Sequence, residues 1–395
     1  MSLTALIDDV APAAVALRHD LHAHPELSFE EYETAERVVA QLRTLPNLDI
    51  QTGIAKTGVM ATLNGDRGGP CVLLRCELDA LPMQEENDLP YRSTVDGKMH
   101  ACGHDGHMAC LLGAARVLSQ MADDIPGCIK FVFQPAEEGY GGGKVMIEEG
   151  ILESPKVDAA FAVHGWPYLP LGVVGVHAGP TMASADFFTI TIHGQGTHAA
   201  YPHRGNDPVV IGAQIIQAAQ TIVTRATDPL DSAVISITQF HAGTAHNVIP
   251  ERAILTGTIR TLREAVRNAT LGRFEQLARS IAESFGATLE IEWGGGYPVL
   301  VNDAACVDLV KDVGKATFGV DRVAPDVRAS MGGEDFAYFA QAVPSAFWRL
   351  GVATQDADTQ PTLHQPNYDF PDEAVATGIR MHCELAMEYI KRHAR

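Results

Sequence analysis

The chain has 395 residues, too many for one ordinary hydrophobic core, so two domains are expected. With 46% hydrophobic and 20% charged residues it has a globular composition, which excludes a disordered or fibrous chain. The 29 Lys and Arg stand against 49 Asp and Glu, a net charge of -20, and no basic cluster offsets it; this argues against nucleic acid and anionic membranes as partners.

From the N-terminus, the stretch to Glu26 reads as an amphipathic helix, with Asp8 and Asp9 inside its apolar run and no basic leader. Strands are predicted at Gly58–Leu63, Cys71–Cys76, Cys128–Phe133 and Ala159–Val163, and a helix at Asp105–Met121 with an apolar stripe at Met108, Leu111, Leu112, Ala115 and Leu118. Short β runs alternating with helices predict an α/β layer built on a mainly parallel sheet. The longest apolar candidate for a membrane span, Val157–Val176, is broken by Asp158, His164, Pro167 and Pro170.

Around Ala183 the pattern changes. A strand at Phe187–Ile192, a helix at Pro208–Thr224, strands at Ala233–Phe240 and Ala253–Ile259, a helix at Glu264–Phe285 and a strand at Thr288–Trp293 follow in turn. That β-α-β-β-α-β order is the ferredoxin-like split pattern, with Gly294–Gly296 marking its exit. From Pro298 the alternation resumes and ends in a helix at Asp372–Lys391. One discontinuous domain (1–183 plus 297–395) carrying an inserted α+β lid or dimerisation domain (184–296) is therefore expected. The seven cysteines contain no CxxC pair, which suits a reducing cytoplasm with most thiols buried.

Several reaction classes fail on their motifs. There is no G-x-S-x-G elbow and no H-E-x-x-H helix. Gly142-Gly143-Lys144 has Val145 where a P-loop needs Ser or Thr, and the dinucleotide-like glycines at Gly194 and Gly196 run into Pro202. What remains is a set of metal-type side chains placed after predicted strands, where open α/β sheets bind ligands. Cys102 and His104 lie in the run His100-x-Cys102-x-His104-x-x-His107, whose density of metal-type side chains is itself a metal signal, in a loop entering a helix whose dipole is expected to favour the thiolate. Glu137 and Glu138 follow the strand CIKFVF, His164 closes the strand DAAFAV, and His364 lies two hundred residues later. Taken singly, such a histidine is ordinarily a hydrogen-bonded structural group and such a glutamate pair a solvated face. Together they supply Cys, His and Glu without a Cys₄ or Cys₂His₂ pattern, which suits a catalytic metal site with open positions.

These residues resemble the dinuclear-metal amidohydrolases that include hippurate hydrolase, aminoacylases, carboxypeptidase G and the plant auxin-conjugate hydrolases. The resemblance runs through HDLHAHPELSFEE at 19–31, RCELDALPM at 75–83, HACGHDGHMA at 100–109 and FQPAEEG at 133–139. It continues through GTHAAYPH at 196–203, HNVIPE at 246–251, GTIRT at 257–261, MGGEDFA at 331–337 and LHQPNYDF at 363–370. It implies an α/β metallopeptidase domain and two divalent ions per subunit, Zn or Mn, with Co or Ni as alternatives. The implied ligands are Cys102, His104, Glu138, His164 and His364, with Cys102 bridging the ions. Glu137 becomes the general base. His198 becomes a donor to the carbonyl oxygen, reaching over from a partner subunit, and Asn247 and Arg260 become the clamp on the substrate carboxylate. Other branches carry His-x-Asp where this chain has Glu77-Leu-Asp79, so that ligand is missing here, and Glu77 and Asp79 are either outer partners of the ligands or, the favoured alternative, structural residues.

The expected reaction is hydrolysis of an N-acyl amino acid to a carboxylic acid and a free amino acid, in a homodimer or higher homo-oligomer built through the small domain. The rival readings are a dipeptidase, an N-acetyl-diaminopimelate deacetylase, an inactive binding protein and a thiol-redox protein using Cys102. Trp166, Tyr168 and Phe336 suit either an aromatic acyl pocket or the core.

Overall fold

The structure is a computed structural model that describes residues 2–325, 327–356 and 359–394. In chain order the elements are α1 (Leu3–Ala23), α2 (Tyr32–Leu42), β1 (Leu48–Ile54), β2 (Gly58–Leu63), β3 (Cys71–Glu77), α3 (His104–Gln120), β4 (Cys128–Gln134), α4 (Gly142–Glu148), β5 (Ala159–Pro170) and β6 (Val174–Gly175). There follow β7 (Gly179–Met182), β8 (Ala185–His193), β9 (Thr197–His198), α5 (Pro208–Thr221), β10 (Ala233–Ala242), β11 (Val248–Ile249), β12 (Arg252–Thr261), α6 (Glu264–Ser284) and β13 (Thr288–Tyr297). The chain closes with β14 (Leu300–Asn302), α7 (Ala304–Phe318), α8 (Ala337–Ala342), β15 (Ser345–Ala353) and α9 (Glu373–His393).

Two compact units result: Met1–Gly179 with Val301–Arg328 and Asp335–Arg395, and Pro180–Leu300 with Ala329–Glu334. The smaller unit thus starts at Pro180 instead of 184, ends at Leu300 instead of 296, and takes in 329–334, which the sequence reading left with the larger one. That segment joins it through backbone bonds, Ser330 N–H donating to Thr181 O at 2.9 Å and Ala183 N–H to Gly332 O at 2.9 Å. No hydropathy pattern marks such pairing.

The larger unit holds a seven-stranded sheet in the order β1-β2-β4-β3-β5-β15-β6. Its middle, β4-β3-β5-β15, is parallel, but β1, β2 and β6 join antiparallel, so the sheet is mixed and not mainly parallel. β3 and β4 are buried along their whole length, as befits strands covered on both faces, and this is why they read as continuous apolar runs. One core cluster joins these strands to α1, α3, α7 and α9. β5 runs to Pro170, well beyond its predicted end at Val163. Its last partner on β3 is Ala162 against Arg75; past that point only β15 borders it, so Pro167 costs no central ladder bond.

The smaller unit is the predicted β-α-β-β-α-β. Its sheet order is β10-β12-β8-β13, every pair antiparallel. β8 and β12 alternate buried and half-buried positions, and the inward set (Phe188, Ile190, Ile192, Leu255, Ile259) packs on Ile211 and Ile215 of α5 and Phe274 and Ala278 of α6. The Gly294–Gly296 run does not end the element. β13 continues through it to Tyr297 with a register shift between Trp293 and Gly296, and a Cβ on Gly296 would lie 1.9 Å from the Ala185 carbonyl oxygen. No helix among the described residues is long and apolar enough to cross a membrane.

Candidate metal centre and active site

The C-terminal ends of the parallel strands deliver the side chains. β3 ends at Glu77 with Asp79 just beyond; β4 ends at Gln134 and runs into the loop bearing Glu137 and Glu138; β5 carries His164 within the strand, not at its end. Cys102 precedes α3, whose first helical residue is His104. Gly103 between them sits at φ +84°, and a Cβ there would crowd Tyr368 and Phe370, so the turn that sets Cys102 beside His104 requires glycine. Two other positions pay for their geometry in backbone strain: Ala136 at φ +54° and His364 at φ +62°. Ala136 N–H donates to Glu31 Oε1 at 2.8 Å, and His364 N–H to Ala101 O at 2.8 Å, which fastens both strained residues.

The donor atoms of Cys102, His104 and His164 lie within 4.8 Å of one another, as do those of Cys102, Glu138 and His364, and those of His104, Glu137 and Glu138. Cys102 belongs to two of the three groups. Its Sγ is 3.4 Å from His164 Nε2, and His364 Nε2 is 3.3 Å from Glu138 Oε1. The histidine tautomers are set from behind. His104 Nδ1 donates to Asp79 O at 2.7 Å and His164 Nδ1 to Gly165 O at 2.7 Å, so each presents Nε2 to the cluster. His104 Nε2 and Glu138 Oε1 are buried with no hydrogen-bond partner. Two orphaned polar atoms converging with a thiol and further His and Glu donors are what a cation would satisfy.

His107 is different. Its Nε2 accepts from Gly165 N–H at 2.8 Å and its Nδ1 donates to Glu77 Oε2 at 2.7 Å, so both ring nitrogens are committed. It braces His164's neighbour and offers no lone pair. Glu77 also receives Arg75; although burial opposes ionisation, Arg75 and His107 hold the Glu77 carboxyl well below the usual range. Against burial in the same way, the hydrogen bond from His104 lowers Asp79. Asp79 Oδ2 in turn accepts from Glu138 N–H at 2.9 Å and from the Ser28 hydroxyl at 2.7 Å. Glu77 and Asp79 therefore stand behind the cluster, Asp79 touching both His104 and the backbone of Glu138.

The helix dipole at Cys102 is opposed by its surroundings. Burial, then Glu138 and Glu137, push its thiol well up. His104 moves up as well: burial lowers it, but the bond to Asp79 and the charges of Glu77, Asp79 and Glu138 raise it to about 10. Burial and neighbouring His107 hold His164 neutral.

Sequence reasoning overlooked Arg75 and Asp335. Arg75 is wholly buried and reaches Glu77, Gln134 Oε1 at 2.9 Å and Asp335 Oδ1 at 2.7 Å. Asp335, raised to about 6 by burial, also accepts from Gly143 N–H at 2.9 Å and so pins the turn after Glu138. An arginine in the middle of CVLLRCE was the available signal, since a central strand tolerates it only when paired. Of the aromatic candidates, Phe336 is core, stacked on Phe339; Trp166 is half-buried beneath the Arg349 guanidinium, and Tyr168 is exposed.

His198, Asn247 and Arg260 lie in the smaller unit. β9 pairs with β11, His198 opposite Val248, and Ala199 N–H donates to Asn247 O at 3.0 Å, so His198 and Asn247 share one bridge. Ala200 N–H donates to His198 Nδ1 at 3.1 Å, which leaves the exposed Nε2 as the protonated donor. Arg260, half-buried on β12, donates to Met331 O at 3.3 Å. All seven cysteines are buried and none is in a disulfide.

The profile of peptidase family M20/M25/M40 matches residues 73–388. N-acetylcysteine deacetylase of Bacillus subtilis is 38% identical over 94% of this chain and 96% of its own length. N-acyl-L-amino acid amidohydrolase of Geobacillus stearothermophilus is 44% identical over 75% of this chain and 80% of its own. Among solved structures, the Bacillus subtilis YXEP protein, a dinuclear metal-binding peptidase, superposes with a TM-score of 0.83 at 35% identity, covering 97% of this chain and 99% of that one.

Proposed function

The chain belongs to peptidase family M20/M25/M40, and on that footing we propose that it is a metal-dependent amidohydrolase cleaving N-acyl amino acids to a carboxylic acid and a free amino acid. The observation that carries this reading is the meeting of Cys102, His104, His164, Glu138 and His364 around two orphaned buried atoms, with Glu137 among them. Cys102, His104 and His164 would hold one divalent ion and Cys102, Glu138 and His364 a second, the sulfur shared. The proposed ions are Zn or Mn, with Co or Ni as alternatives; this donor set accepts all four, and availability chooses among them. Bound ions would supply Lewis-acid polarisation of the amide carbonyl and lower the pKa of a water.

The chain's own residues do the rest. Glu137 takes a proton from the attacking water and delivers it to the leaving amine nitrogen. His198, with Nε2–H exposed, donates to the carbonyl oxygen as charge develops there. Arg260, a fixed fork of donors, and Asn247 hold the substrate carboxylate, which orients the scissile bond. We assign His198 to the partner subunit of a homodimer. The names borne by the two enzyme relatives, an N-acetylcysteine deacetylase and an N-acyl-L-amino acid amidohydrolase, support N-acyl amino acids as the substrate class.

The test is release of free amine from N-acetyl amino acids, hippurate and dipeptides by protein stripped with chelator and reloaded with Mn or Zn. Metal-restored release from N-acyl amino acids is expected. Absence of release from all of them under every ion would refute the substrate class.

A further inference from the structure

Outside the ligand cluster, the most heavily built group of charges centres on Arg18 of α1, which is wholly buried. Its Nε donates to Asp105 Oδ2 at 2.9 Å, and its terminal nitrogens reach Asp372 Oδ1 at 2.7 Å and Asp369 Oδ1. The guanidinium also lies over the Tyr91 ring, 4.8 Å from its centroid, and Tyr91 Oη donates to Asp369 Oδ2 at 3.0 Å. His22, one turn along α1, contacts Asp105 Oδ2 at 3.0 Å.

The partners of Arg18 have one thing in common. Asp105 is the residue after His104, in the first turn of α3. Asp369 and Asp372 follow His364 in the same loop. Arg18 therefore ties together two segments, one carrying His104 and the other His364, whose donor groups share Cys102. A buried arginine bridging three carboxylates is costly to desolvate and holds its partners in a fixed fork geometry, which a point charge does not.

We propose that Arg18 is a positioning residue that sets the spacing between the His104 and His364 segments and thereby secures the ion held by Cys102, Glu138 and His364; this rests on the metal reading above. His364 is the donor that needs such help. His104 is fixed by Asp79 and His164 by its place in β5, whereas His364 is exposed, strained at φ +62° and anchored by its backbone bond to Ala101.

The test compares ion uptake by wild type, the double variant Asp369→Asn/Asp372→Asn, and Arg18→Lys. Both aspartates are partly exposed, so the double variant keeps the buried Arg18–Asp105 pair and is expected to fold. Arg18→Lys keeps the charge and removes the fork. Ion-free protein is titrated with Co(II), reading ions bound per chain and the thiolate-to-cobalt absorption band. Both variants should lose affinity for one ion by roughly 10–100-fold, the usual effect of removing a ligand's outer partner, while the thiolate band and the other ion are retained. Two ions bound with wild-type affinity by either folded variant, or equal weakening of both ions, would overturn the inference. Wild-type protein that takes up no ion would overturn the metal reading itself, and this inference with it.

Discussion

Cys102 shares its pocket with Glu137 and Glu138, and His104 holds a proton up to about 10, so the ion-free cluster carries protons that a cation must replace. The sign follows from linkage. A His104 pKa raised above its ordinary 6.5 means that binding at Nε2 expels a proton throughout the window from about 6.5 to about 10. Apparent ion affinity should therefore climb with pH across that window. Competition titrations at several pH values measure it, and a flat profile would remove His104 from the ligands. At the same scale, Glu137→Gln keeps the shape of the side chain and removes its basicity. Turnover should fall by about 10²–10⁴-fold with ion content unchanged. Retained turnover would assign the proton transfer elsewhere.

At the level of elements, Cys102, Glu137, Glu138 and His364 come from loops and His164 from within β5, so the site depends on how tightly those loops are packed. Gly142 opens α4 against the preceding loop; a Cβ there would lie 1.8 Å from the Pro135 carbonyl oxygen. Backbone cannot yield as a flexible side-chain end can, so Gly142→Ala must displace residues 135–139 and with them Glu137 and Glu138. A loss of about 1–3 kcal/mol in denaturant unfolding and weakened ion binding are expected together. Lost stability with unchanged ion binding would show that the loop absorbs the shift elsewhere. The departures from the sequence reading at this scale share a cause. β5 outruns its predicted end and β13 runs through its glycines because strand limits are set by the neighbour available for pairing. Apolar pattern gives no information about that neighbour.

At the scale of the molecule, the two units have separate cores. Cys102, His104, Glu137, Glu138, His164 and His364 belong to the larger unit, while His198, Asn247 and Arg260 belong to the smaller. Substitutions in the smaller unit should therefore leave ion content unchanged and alter catalysis alone. Arg260→Ala should raise KM by roughly 10- to 100-fold for substrates bearing a free carboxylate, the worth of a charged hydrogen bond, and leave the corresponding amide analogues unaffected. His198→Ala should lower kcat by about 10²–10³-fold. Steady-state kinetics with parallel metal analysis separates the two, and ion loss in either variant would contradict the division of labour.

The sequence by itself determined the chemical inventory and its framework. Cys102, His104, Glu137, Glu138, His164 and His364 stand out because such side chains are rare after apolar strands. The period-2 pattern of β8 and β12 and the long helices around them already gave the β-α-β-β-α-β order, since alternation and helical stripes are local properties. Tertiary structure alone decided which donors are available. His104 and His107 are three residues apart on one helix, yet one presents an orphaned Nε2 and the other has both nitrogens bonded, because Gly165 and Glu77 hydrogen-bond to His107 and not to His104. Likewise, burial and two carboxylates oppose the helix dipole at Cys102, and Arg18 meets Asp369 and Asp372 across some 350 residues of chain. Hydrogen-bond commitment, desolvation and long-range charge pairing are properties of neighbours in space, which local sequence does not encode.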